Sequence, residues 1–267
     1  MIIATIDNTV KIRPSRSIFN LTYRRYSGGD IEYNFFKEYQ VIGRNGGRKK
    51  LTDINKNQQV KTALYREQAR IRAGSTVRRL VKANNLYIMW SLTYAAEVID
   101  REKALYDFKK FMLRLNYQLG EKIPYVAVIE VQRKREAKTG KPVLHFHMAI
   151  DRYIAKKQLQ EIWGHGNVFF TNFKDSKERI SGTVESVAGY MSKYLKKDMQ
   201  DNPEMAGRKM YLNSKGLKRP NKGHGIITAD EAKDIQNSSE YTREIKDGVT
   251  FGILNAKKLI NVANIPG

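Results

Sequence analysis

Between residues 86 and 170 the chain alternates strand-like and helix-like patterning in one fixed order, and that order limits its fold more than any other feature. Residues 86–94, Leu-Tyr-Ile-Met-Trp-Ser-Leu-Thr-Tyr, are rich in aromatic and β-branched side chains and read as a strand. A helix is expected from about 100 to 119, with Leu105, Phe108, Met112 and Leu115 at helical spacing. Residues 125–132 and 141–150 read as two further strands joined by a basic loop. A short helix over 156–163 and a fourth strand over 166–170 complete the series. The order β-α-β-β-α-β predicts an α+β domain with a ferredoxin-like core. In that arrangement a central antiparallel sheet carries its helices on one face and leaves the other free for a site.

The third of these strands, Lys141-Pro-Val-Leu-His-Phe-His-Met-Ala-Ile150, places two imidazoles two residues apart in a chain with four histidines. Strand side chains alternate with a period of two, so His145 and His147 share one face and Phe146 points into the other. On the preceding strand Glu130 and Gln132 share a face, and hairpin pairing brings Glu130 beside the histidines. Two imidazoles and a carboxylate on neighbouring strands make a three-point site with open positions, a ligand set suited to Mg²⁺ or Mn²⁺ and phosphate chemistry. The bland alternative is a set of half-exposed strand side chains with no ligand.

Charge points to a polyanionic partner. The chain holds 49 Lys and Arg against 27 acids, a formal net charge of +22 spread along its length. Such an excess goes beyond what solubility needs and favours nucleic acid over a membrane surface. No cysteine is present, which excludes disulfides, cysteine nucleophiles and thiolate metal sites and fits a reducing cytoplasm. Residues 1–7 are too short and too soon charged to read as a signal peptide, and no run reaches the roughly 20 apolar residues of a membrane span. The Gly43-Arg-Asn-Gly-Gly47 stretch lacks the Gly-Lys-Ser/Thr ending of a phosphate loop, and nothing else suggests an ATPase.

After the fourth strand, residues 183–197 (Thr-Val-Glu-Ser-Val-Ala-Gly-Tyr-Met-Ser-Lys-Tyr-Leu-Lys-Lys) form an amphipathic helix. Val184, Val187, Ala188, Met191 and Leu195 make its apolar stripe. Tyr190 and Tyr194 fall four residues apart at one edge of that stripe, and Lys193 and Lys197 lie further round on the polar side. On spacing alone these are boundary tyrosines with wet hydroxyls. Another expected helix, 57–83, carries Arg66, Arg70, Arg72, Arg78 and Arg79, which suit either a solvated face or phosphate contacts.

Taken together, Trp90-Ser-Leu-Thr-Tyr94, His145-Phe-His147 and Tyr190-Met-Ser-Lys-Tyr194 resemble the HUH endonucleases. Within them the chain is most similar to the rolling-circle replication initiators of small single-stranded-DNA phages and related plasmids. The resemblance covers roughly residues 60–225, including Gly216-Leu-Lys-Arg-Pro220, which looks like the segment after the tyrosine helix in phage members. It implies a basic N-terminal extension (1–55), an endonuclease domain (56–225) and a C-terminal appendage (226–267).

The resemblance further implies a metal held by His145, His147 and Glu130, and tyrosine nucleophiles at Tyr190 and Tyr194 with Lys193 easing phenolate formation. The substrate implied is single-stranded DNA at a replication origin, cut through a 5′-phosphotyrosine intermediate in the cytoplasm of a bacterial or archaeal host. A separate helicase, of host origin, is implied because the chain has no nucleotide-binding motif. Arg133, Lys134, Arg135, Lys196 and Lys197 are candidates for gripping the DNA, and each suits a solvated surface charge equally well. Two-tyrosine transposases share the order of blocks, and a non-catalytic basic nucleic-acid-binding protein would share the charge. His165 and His224, flanked by glycines, read as turn residues, Trp90 and Trp163 as core.

Overall fold

The computed structural model describes residues 5–6, 9–10, 18–36, 58–141, 143–171, 183–198, 210–245 and 249–255. The Gly43 to Lys50 stretch lies outside them. Two compact units divide the chain: residues 57–219, and a second unit formed from 1–56 together with 220–267.

The first unit begins with α1 (Gln58–Ala83), followed by β5 (Ile88–Thr93), α2 (Arg101–Leu119), β6 (Tyr125–Val131), α3 (Arg133–Thr139) and β7 (Leu144–Ile150). It continues through α4 (Lys156–Trp163), β8 (Val168–Phe170), α5 (Val184–Asp198) and β9 (Tyr211–Asn213). The strands form one antiparallel sheet in the order β8-β5-β7-β6-β9. This mixed α+β unit is compatible with a ferredoxin-like core, with β9 as an added edge strand.

Local chemistry sets the element ends. Asp100 caps α2 by accepting the Glu102 N–H at 2.9 Å, and Gly120 ends the helix at φ +69°. The segment expected to be a basic loop between β6 and β7 is instead the short helix α3. Gly140, in the left-handed region, closes it with its N–H on the Glu136 carbonyl at 2.7 Å.

The period-two alternation sends each strand's side chains to two different cores. Trp90, Leu92, Ile129, Phe146 and Met148 face α2 and α4, where they pack on Phe108, Phe111 and Trp163. Trp90 and Trp163 are both fully buried, as the sequence suggests. Met89, Val126, Val128 and Ala149 face the opposite way. That second face is not open: α1 covers it with Val77, Leu80 and Val81, and α5 with Val187, Ala188, Met191 and Leu195. Both helices carry an apolar stripe that has to be buried somewhere, and each such side chain contributes about 1.5–3 kcal/mol when fully buried. An ion pair between Lys82 and Glu185 (3.4 Å) links the two helices.

The other unit contains a short ribbon, β1 (Thr5–Ile6) with β2 (Thr9–Val10), and β3 (Ile18–Arg25), β4 (Asp30–Phe36), β10 (Asn221–Thr228), α6 (Ala229–Asn237), β11 (Tyr241–Ile245) and β12 (Val249–Asn255). Its five-stranded antiparallel sheet has the order β10-β3-β4-β12-β11, so strands from both ends of the chain interleave. Across its middle, Gly223, Tyr23, Tyr33 and Gly252 form one cross-strand row. The two tyrosine rings lie over the two glycines, and a methyl group at either glycine would overlap a ring. Tyr33 is held by Phe35 and by a 2.6 Å hydrogen bond with Ser239, so it cannot swing aside. Gly252→Ala should therefore destabilise this unit by about 1–3 kcal/mol, readable as a lowered unfolding midpoint in urea.

Candidate metal centre and tyrosine helix

Three strands position the centre. In the sheet register His145 lies between Glu130 and Thr93, and His147 lies between Val128 and Ser91. Glu130, His145 and His147 therefore project from the same face, at the end of the sheet beyond the α1 and α5 contacts of Val126, Val128 and Ala149.

Their donor atoms converge. Nε2 of His145 and Nε2 of His147 are 2.8 Å apart, and Oε2 of Glu130 lies 3.3 Å from the first and 3.0 Å from the second. Cis ligands of an octahedral ion with bonds of about 2.1 Å sit about 3.0 Å apart, so the triangle has the edge lengths of a facial tripod. All three residues are buried, at 5–7% exposure, and the group can hold a metal ion.

The electrostatics favour a cation. Burial alone would raise the Glu130 pKa, but hydrogen bonds from His145 and His147, reinforced by their charge, take it down to about 2. Burial lowers the His147 pKa, against the opposing pull of its Glu130 hydrogen bond. At neutral pH the carboxylate is charged and the His147 ring is neutral, with a lone pair to offer.

Three acceptor-type atoms within 3.3 Å of one another need protons or a cation among them. Ser91 lets His147 serve either case. Its Oγ lies 2.9 Å from His147 Nδ1 and can donate to that nitrogen or accept from it. With Nδ1–H donating to Ser91, Nε2 presents its lone pair to a metal. Sequence patterning did not single out Ser91. Its signal is its parity with Thr93 on β5, which becomes informative only once β5 is known to neighbour β7. Ser91→Ala should lower divalent-metal affinity by about 10-fold, toward the lower end of outer-shell effects, as read by calorimetric titration with Mn²⁺.

Helix α5 brings Tyr190 alongside. Its ring stands at 88° to the His147 ring with 6.3 Å between centroids, and it packs at the margin of the α1/α5 core. Met191 and Leu195, fully or nearly fully buried, fix the rotation of the helix that points Tyr190 there. Lys193 is exposed on the same helix. Tyr194, Lys196 and Lys197 take backbone positions in α5, and Arg133 and Lys134 in α3, but their side chains lie outside the described residues. Arg135 is half-buried, and its guanidinium donates to the Tyr94 and Ala95 carbonyls at 2.7 and 2.8 Å, tying α3 to the end of β5.

His165 and His224 stand away from this centre. His165 packs edge-on to Trp163 beside the buried Asp107, and His224 is exposed on β10. No described helix is long and apolar enough to cross a membrane.

Residues 87–199 match the family model of the replication-associated protein ORF2 type. The match runs from the residue before β5 to the residue after α5, so it takes in the Glu130/His145/His147 triangle and both tyrosines. It is consistent with a replication protein of the rolling-circle type. No curated protein and no solved structure matches the chain.

Proposed function

We propose that the chain is a rolling-circle replication initiator, a metal-dependent enzyme that nicks and rejoins single-stranded DNA at an origin through tyrosine. One observation carries this reading above the rest: a His-His-Glu triangle of metal-binding size with a tyrosine ring set against one of its imidazoles. The family match over residues 87–199 supports it.

Glu130, His145 and His147 would hold Mg²⁺ or Mn²⁺, whose chemistry there is polarisation of the scissile phosphate and dispersal of its developing charge. Tyr190 Oη attacks the phosphorus and the P–O3′ bond breaks. The DNA is left with a free 3′-hydroxyl and its 5′ phosphate esterified to the tyrosine. A phenol has a pKa near 10, so its proton must leave to solvent as attack proceeds. Lys193, one turn away on the same helix, lowers the cost of the phenolate by its charge.

The ester conserves the bond energy, so rejoining needs no ATP. Tyr194, four residues beyond Tyr190 on α5, gives the enzyme a second nucleophile to cut a regenerated origin while the first end is still attached. The three metal-binding residues keep less than a tenth of their surface exposed, so the phosphodiester must come from a strand free to bend. That favours single-stranded or extruded DNA over duplex. Strand separation during copying falls to a separate helicase in the host cytoplasm.

The test is cleavage of labelled single strands drawn from the parent replicon. Cleavage should appear with Mn²⁺ or Mg²⁺, vanish with EDTA and return when the ion is restored. Cleavage undiminished by EDTA would sink the metal-dependent reading.

A further inference from the structure

At the opposite end of β6 from Glu130 lies a groove of about 840 Å³ that the proposed cleavage reaction does not use. Tyr125 lines it and is five residues from Glu130 on one strand, which places the two about 17 Å apart. Phe108, Met112, Tyr125 and Leu212 contribute to its apolar surface. Lys109 and Lys122 approach from the α2 side, Lys215 and Lys218 from the turn after β9, and all four are exposed. No acidic side chain lines it among the described residues.

The groove is built rather than incidental. Its far wall is the turn 214–218, which contains most of the Gly216-Leu-Lys-Arg-Pro220 segment. Two pairs of hydrogen bonds hold this wall. Asn84 donates to the Lys218 carbonyl at 3.0 Å and accepts the Lys218 N–H at 2.8 Å. Ser214 accepts the Tyr125 N–H on its hydroxyl at 3.1 Å and donates its own N–H to the Tyr125 carbonyl at 3.1 Å. A preformed cleft in the size range of ligand pockets, apolar inside and ringed by one sign of charge, selects an anion with an apolar body.

We propose that this groove is a second binding site for single-stranded nucleic acid, with bases against the apolar surface and phosphates against the four lysines. A duplex of the same charge keeps its bases stacked and cannot offer them to Phe108, Tyr125 and Leu212. A single strand can. The site gives the 214–218 turn a task apart from the metal centre, and it binds whether or not the chain cuts DNA.

The experiment measures binding of the full chain in EDTA to a single strand of about 16 nucleotides, the upper end of the site size for one single-strand-binding fold. The comparison is the variant Lys109→Gln, Lys122→Gln, Lys215→Gln, Lys218→Gln, four exposed changes whose folding is checked by thermal melting. Each single-strand phosphate contact adds about 0.7 to the slope of log affinity against log salt, so the variant's slope should be shallower by about 2–3. Affinity at low salt should fall at least ~10-fold, and iodouracil photocrosslinks on the wild type should map to peptides containing Tyr125 or residues 212–218.

An unchanged slope with crosslinks elsewhere overturns the proposal. So does an equal loss of affinity for a duplex of the same length, which would mark the lysines as a non-selective charge patch. Cleavage of a short oligonucleotide by the same variant in Mn²⁺ reports on the metal centre alone, so a failed groove and a failed nuclease are told apart.

Discussion

His147→Ala lowers Mn²⁺ affinity by at least ~100-fold, beyond the usual effect of outer-shell changes, and strand cleavage falls with it. The substitution removes one of three donors and the ring against which Tyr190 stands. Stability should respond differently with and without metal. In metal-free protein the change relieves a crowded cluster of buried acceptors, so the melting temperature should hold or rise. At a Mn²⁺ concentration about 100 times the dissociation constant, wild type should gain about 2.7 kcal/mol that the variant lacks. A variant that loses stability without metal and still gains it with Mn²⁺ would show that the triangle is structural and that the ion binds elsewhere.

Glu130→Gln separates charge from shape at the same point. The Glu130 pKa falls from an ordinary 4.5 to about 2 in the folded chain. Its stabilising contribution is therefore present above pH 4.5 and is lost as the pH falls from there toward 2. In Glu130→Gln that part of the acid slope disappears.

The tyrosine pair should behave as substitutable nucleophiles. Tyr190→Phe and Tyr194→Phe each leave single-strand cleavage detectable, and the double variant abolishes the covalent adduct while retaining DNA binding. The expectation is argued from position: Tyr190 stands against His147, and Tyr194 is four residues further along the same helical edge. Coupled cut-and-rejoin needs two nucleophiles, so each single variant should lose circle closure even while it nicks. A Tyr190→Phe variant that forms no adduct would instead make Tyr190 the sole nucleophile.

Much of the site was legible because strand parity is rigid. His145 and His147 had to share a face, and hairpin pairing had to bring Glu130 next to them. What parity could not supply was strand order, so Ser91 stayed hidden until β5 was placed beside β7. Nor could it show what covered the site-bearing face. The expectation that this face was open failed because α1 and α5 each carry an apolar stripe, and the sheet's second face is where they bury it. Arg135 was read by charge alone, whereas its position at the start of α3 directs it to the Tyr94 and Ala95 carbonyls. In the other unit, glycine-broken segments at the two ends of the chain gave no hint that they pair. Long-range strand pairing leaves little local signature beyond rows such as Gly223, Tyr23, Tyr33 and Gly252.

The most direct measurement is to trap the reaction and find where the DNA is attached. Wild-type protein is incubated with single-stranded origin DNA and Mn²⁺, denatured, digested with nuclease and trypsin, and its peptides are weighed by mass spectrometry. The account predicts a nucleotide joined through its 5′ phosphate to Tyr190 or Tyr194, absent when EDTA replaces Mn²⁺. Cleaved DNA with no nucleotide on either tyrosine, or bound DNA with no cleavage under any divalent ion, would contradict it.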